Sequence, residues 1–158
     1  MLECKRSELI IHNIVAIKHS VQTITSNSEN DKLCFYDHKI DCNFDKHLNI
    51  HDSKIFRIII QIKITPPENQ SGYYIESEMH GYFEIKPDIE LDDDKISAYH
   101  NTALAMIISY LRAHLRTITH ECVFGAYTMP SVDFIDIIDK KNNELKKQRQ
   151  RKESKKKK

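Results

Sequence analysis

The sequence predicts an α+β fold: a four-stranded antiparallel sheet with two helices packed on one of its faces. Three observations carry this expectation. Four segments within residues 9–85 alternate apolar and polar side chains, the period of half-buried strands. Past residue 94 the apolar period lengthens to three and four, the stripe of an amphipathic helix. Polar or proline-containing breaks separate the segments, as turns require.

The first strand is expected over residues 9–24, with Leu9, Ile11, Val15, Ile17 and Val21 on one face. His12, Lys18, Ser20 and Gln22 take the other, with a bend near Asn13. A polar loop over 25–33 leads to a second alternation over 38–50, where Ile40, Cys42, Phe44, Leu48 and Ile50 share a side. Residues 55–65 are the clearest strand, with Phe56, Ile58, Ile60, Ile62 and Ile64 on one face and Arg57, Gln61 and Lys63 on the other. Pro66 and Pro67 end it, because proline cannot donate to a ladder. In the fourth strand Tyr73, Ile75, Met79, Phe83 and Ile85 point inward, while Glu76, Glu78, His80 and Glu84 point outward. Residues 86–94 read as an acidic linker. Asn101 or Thr102 is the expected N-cap of a helix carrying Leu104, Ile107, Ile108, Leu111, Leu115 and Ile118. Tyr127 to Pro130 is an extended stop, and a second helix starts near Ser131 or Asp133 with Val132, Phe134, Ile135 and Ile138 inward.

One domain is expected over residues 1–139, followed by a basic tail over 140–158. The 158 residues carry a formal net charge of +1, which hides a division. Residues 140–158 hold eleven Lys and Arg against two Glu, a net +9, so the remainder carries −8. That tail has too few apolar side chains to offset the entropy of ordering, so a disordered or frayed segment is expected. It suits contact with RNA, the ribosome or acidic surfaces.

Chemistry-bearing motifs are sparse. Three glycines assemble no phosphate-binding loop. The four cysteines lie 30, 8 and 80 residues apart, without a Cys-x-x-Cys pair, and read as reduced thiols. His114 and His120 are six apart and fall on opposite sides of a helix, so no metal site is expected there. Asp92, Asp93 and Asp94 lack the spacing of a calcium loop. No nucleophile sits on a glycine-flanked turn. The expectation is a protein without enzymatic activity, cofactor or metal. The longest apolar run, residues 103–108, is far short of the roughly 18 needed to span a bilayer. Residues 1–8 contain no apolar signal core, so a cytoplasmic location is expected.

Several motifs, in this order, resemble the SecB family of export chaperones. Tyr74-x-Glu76 is followed by Gly81-x-Phe83-x-Ile85, then Tyr110-x-Arg112, then Met129-Pro130-x-Val132-Asp133-Phe134. The resemblance spans residues 55–139 well, and the pattern of 14–21 is similar. Ala113 stands where the family has Glu after its Tyr-x-Arg. It implies a homotetramer built as a dimer of dimers, with the first helices at the inner interface. It also implies ATP-independent holding of unfolded client polypeptides in exposed apolar grooves. The groove positions it implies are Cys42, Phe44, Tyr74 and Ile138, with Tyr82 and Phe124 as further aromatics. Glu76 is the implied SecA-facing residue, while Lys18 and Gln22 stand where export members carry acids on the first strand. Some SecB-like proteins guard an antitoxin instead, and the resemblance extends to those.

Overall fold

The computed structural model describes residues 7–26, 33, 37–49, 52 and 54–131. Four strands and one helix follow one another: β1 (Leu9–Ile24), β2 (Lys39–Leu48), β3 (Ile55–Thr65), β4 (Gly72–Ile85) and α1 (Asp93–Thr119). The sheet order is β1-β4-β3-β2, every pairing antiparallel. Three consecutive strands thus pair as neighbours, and β1 returns beside the last of them, a Greek-key arrangement. The expected second helix and the basic tail lie outside the described residues.

β3 and β4 form the centre of the sheet, and their alternation translates directly into burial. Ile60, Ile64, Tyr73, Ile75 and Phe83 have no exposed surface, and Phe56, Ile58, Ile62, Met79 and Ile85 have almost none. Register aligns them in rows: Ile64 with Ile75, Ile60 with Met79, Phe56 with Phe83. The helix lays Ala103, Leu104, Ile107, Ile108, Leu111 and Leu115 on these rows. Gly81 makes the close approach possible. A Cβ at that position would stand 2.5 Å from Ile107 Cδ1 and 2.6 Å from Phe83 Cε2.

β1 departs from strict alternation. Its register against β4 shifts between Ile11 and Asn13 and again between Ala16 and Lys18. Each bulge inserts one residue and reverses which parity faces the helix. Leu9, Ile11, Ile14, Ala16, His19 and Val21 therefore lie on the helix side, opposite inward residues of β4. The face expected to hold Val15 and Ile17 is corrected accordingly. Val15 pairs with His80 on the far side, and Ile17 sits in the second bulge, 54% exposed.

The helix also begins eight or nine residues before the expected caps at Asn101 and Thr102. Residues 86–91 connect β4 to the helix as expected, but Asp92 to Asp94 are its cap and first turn rather than linker. Asp92 is the N-cap, its side chain accepting from the Lys95 backbone N–H at 2.8 Å, which with the Lys95 charge holds its carboxyl below the usual range. Asp93 and Asp94 occupy the first turn, where negative charge complements the helix dipole. Tyr99, which donates to Glu8, ties this turn to the chain entering β1.

Past α1 the chain turns at Gly125, φ +74°, a conformation that favours glycine. Tyr73 secures the turn twice: its hydroxyl donates to the Gly125 carbonyl at 2.8 Å and accepts from the Phe124 N–H at 3.0 Å. Thr119 Oγ1 accepts from the Tyr127 N–H at 2.7 Å. Tyr127 is fully buried, and burial pushes its hydroxyl up to about 12. His38 Nε2 accepts from the Tyr73 N–H at 3.3 Å, which assigns the proton to Nδ1.

His100 is the least comfortable polar group of the helix-to-sheet contact. Its ring meets Phe56 edge-on at 4.6 Å, Nδ1 lies 3.2 Å from Lys46 Nζ, and Nε2 is buried without a hydrogen-bond partner. Burial, and then the Lys46 charge, lower its pKa to about 4.

Two outcomes are expected. Gly81→Ala forces Ile107 or Phe83 aside in a packed core, a loss of about 1–3 kcal/mol in denaturant unfolding. His100 takes its proton more readily unfolded, near 6.5, than folded, near 4. Its contribution to stability is complete above 6.5 and is lost as pH falls from 6.5 toward 4. The ring is only half buried, so screening trims that loss to about 1–2 kcal/mol. Unfolding curves at pH 7 and pH 4.5 measure it, and His100→Gln should flatten the difference.

Candidate functional site

The helix lies mainly over β4 and β1, and only its edge reaches β3. The inner face of β2 is thereby left beyond its cover. That face carries Ile40, Cys42, Phe44, Lys46 and Leu48, in register with Ile64, Ile62, Ile60, Ile58 and Phe56. Burial declines along it. Cys42 is 2% exposed, Ile40 and Phe44 are half-buried, and Leu48 is 50% exposed. The segment 121–130 fills the space near its start, where Tyr127 meets His38 at 5.7 Å and Arg112 donates to the Pro130 carbonyl at 3.3 Å. The result is an apolar strip that begins in the core, is crossed by Lys46 after Phe44, and opens toward solvent at Leu48.

The six implied groove residues do not converge. Cys42 and Phe44 share the strip on β2. Tyr74 and Tyr82 lie on the opposite face of the sheet, eight residues apart on β4, a separation of roughly 27 Å. Phe124 is half-buried in the turn beyond α1, 5.6 Å from the Tyr73 ring. Ile138 lies outside the described residues. Leu48 belongs with Phe44 by parity, and the alternation of 38–50 already placed it there.

The outer face is polar and ordered in rows across the strands. One row runs Asp41, Lys63, Glu76 and Ser20; the next runs Asn43, Gln61, Glu78 and Lys18. Between them is an open depression of about 260 Å³. Tyr74 donates to Glu76 Oε1 at 2.6 Å and lies 5.0 Å beneath the Lys63 ammonium. The Tyr74 hydrogen bond, then Lys63 and Lys18, hold the Glu76 carboxyl below its ordinary range. Gln61 at 2.9 Å and His80 at 2.7 Å do the same for Glu78. Both carboxylates stay ionised well below neutral pH, so this face is a lattice of paired charges with no apolar strip. Tyr82, 37% exposed, is its main apolar intrusion.

A third surface was not legible in the sequence. Where β1 and α1 meet, Ile11, Ile17 and Tyr110 are 40%, 54% and 53% exposed. Only the bulge geometry brings Ile17 out, and a strict alternation conceals it. Among the described residues no group of three His, Cys, Asp or Glu side chains is placed to hold a metal ion. Nor, among the described residues, is any helix long and apolar enough to cross a membrane.

No protein-family model and no curated protein matches the chain. Solved structures do. The SecB-like chaperone Rv1957 of Mycobacterium tuberculosis, solved with a ChAD peptide from the HigA1 antitoxin, superposes with a TM-score of 0.55 at 13% identity. The match covers 79% of this chain and 91% of that one. A protein of unknown function from Streptococcus agalactiae superposes with a TM-score of 0.47 at 8% identity, covering 78% of this chain and 97% of that one. The four-stranded antiparallel sheet with a helix across one face is thus a SecB-like α+β fold.

Proposed function

We propose that this protein is an ATP-independent holdase that binds unfolded polypeptides along the inner face of β2. The observation that carries the reading is the apolar strip from Cys42 through Phe44 to Leu48, on a fold shared with a chaperone that holds an antitoxin peptide. An unfolded segment offers alternate apolar side chains at the spacing such a strip accepts, and a folded protein does not. Four or five client side chains buried at about 1.5 kcal/mol each give roughly 6–8 kcal/mol gross. Ordering ten client residues costs on the order of 10 kcal/mol. One strip alone does not hold a client, so several strips on one assembly must share it.

Self-association supplies those strips. The exposed Ile11, Ile17 and Tyr110 at the junction of β1 and α1 suit a second copy, and a dimer of dimers is the assembly the reading requires. The client is either a range of export precursors or one dedicated partner such as an antitoxin. Glu76, ionised on the outer face, is the residue proposed to meet SecA if delivery to the export machinery occurs. The reading places the protein in the cytoplasm. A second reading rests on the net +9 of residues 140–158, which favours contact with RNA or the ribosome. Salt titration of RNA binding with and without that tail separates the two.

The test combines solution mass by light scattering with suppression of aggregation of an unfolded protein, without ATP. A tetramer that suppresses aggregation at stoichiometric amounts is expected. Leu48→Glu should weaken client binding about tenfold with the assembly intact, the loss of one well-buried apolar contact. Ile17→Glu should lower the mass. A monomer without holding activity sinks the proposal.

A further inference from the structure

His19 of β1 and His114 of α1, ninety-five residues apart in the chain, meet at the seam between strand and helix. Their ring centroids are 5.1 Å apart and their planes inclined by 73°. Register sets His19 on the helix side of the sheet, opposite Ser77, because the bulge after Ala16 has shifted the parity. The His19 side is exposed, so solvent and small ions reach the pair. His114 is half-buried, and its Nε2 is fully buried with no hydrogen-bond partner.

An imidazole nitrogen in that state is either an uncompensated polar atom or a ligand waiting for an acid. A proton is a poor candidate, because burial and the neighbouring His19 hold His114 below its ordinary pKa. No carboxylate contributes to that balance. Glu76 and Glu78, on the neighbouring strand, point from the opposite face, and Arg112 and Arg116 lie on the other flank of α1. Burial and the neighbouring His19 both favour the neutral imidazole, the form that ligates metal.

We propose that His19 and His114 form a two-histidine site for a divalent transition metal ion such as Zn²⁺, which clips the edge strand β1 to α1. The ring separation admits a shared ion when each ring turns one nitrogen toward it. A zinc–nitrogen bond of about 2.0–2.1 Å puts the metal about 3.2 Å from each ring centroid, so centroids 5.1 Å apart subtend an angle of about 105° at the ion, near tetrahedral. Borderline metals that favour imidazole fit this pair better than Mg²⁺ or Ca²⁺, which demand oxygen. The two remaining positions fall to water on the exposed side, since no third His, Cys, Asp or Glu among the described residues completes the set. Two protein ligands rather than four put the expected Kd at about 10–100 µM. Such a site stabilises only the state in which β1 and α1 are docked. It lies at the same seam as Ile17 and Tyr110 but does not depend on what covers them.

The experiment is calorimetric titration of the full chain with ZnCl₂ at pH 7, with hydrogen exchange of residues 14–21 followed in parallel. One equivalent should bind per chain, and exchange in β1 should slow severalfold at saturating Zn²⁺. His19→Ala and His114→Ala should each weaken binding at least tenfold, whereas His120→Ala, on an exposed residue beyond the helix end, should not. His19 is exposed, so its variant keeps the fold if His114→Ala does not. Binding weaker than 1 mM in the unaltered chain, or affinity retained by His19→Ala, overturns the proposal.

Discussion

The contact between Ile107 and the missing side chain of Gly81 governs this molecule. It lets α1 settle on the middle of the sheet, where β4 carries its inward row. From that contact the helix position follows in both directions. Toward its N-terminus, Ala103 and His100 reach the Phe56 row; toward its C-terminus, Leu111 and Leu115 reach Ile75 and Tyr73. A helix seated on β4 cannot also cover β2, and the inner face of β2 stays partly open as a direct consequence. The candidate site is thus a by-product of where one glycine permits close packing.

The two faces of the sheet obey opposite physics. The inner face is mainly apolar; some of its buried polar atoms have fixed partners, as with His38 and Tyr73, while others, such as Ser77 Oγ and His100 Nε2, have none. On the outer face two adjacent rows pair opposite charges, so Lys63 faces Glu76 and Glu78 faces Lys18. Such pairs add little stability in water. Their effect is to keep the outer face unattractive to apolar segments. Under the proposed holding function, such a face would leave the inner strip on β2 as the surface that attracts apolar segments.

Legibility in the sequence tracked regularity. β3 and β4 obey strict alternation, so their inward and outward sets were readable residue by residue, and the order of strands followed by a helix gave the fold class. β1 carries the same composition but two bulges, and a bulge leaves no mark in hydrophobicity, so the faces of Val15 and Ile17 were misread. The start of α1 was hidden for a different reason. Its first two turns lack the apolar period because polar side chains such as His100 make part of their contact with the sheet, and only the Asp92 cap announces them. The strip on β2 was half visible, through Cys42 and Phe44. Tyr74 was drawn into it by resemblance, although the parity of β4 sets its side chain on the far face with Glu76.

The same reasoning explains why the pairing of His19 with His114 escaped inspection of the chain. Spacing along one helix sets His114 and His120 on opposite sides. A ligand from another element depends on the parity of β1 after its second bulge. Without that bulge His19 would pair with Glu76 and project from the outer face, and no imidazole would stand against His114. One inserted residue therefore does two things at once. It exposes Ile17 at the edge of the sheet, and it turns the next inward position into a histidine facing the helix. Deleting Ile17 would remove only the second bulge: the first, between Ile11 and Asn13, would remain, and His19, now two places after Ala16, would still face the helix.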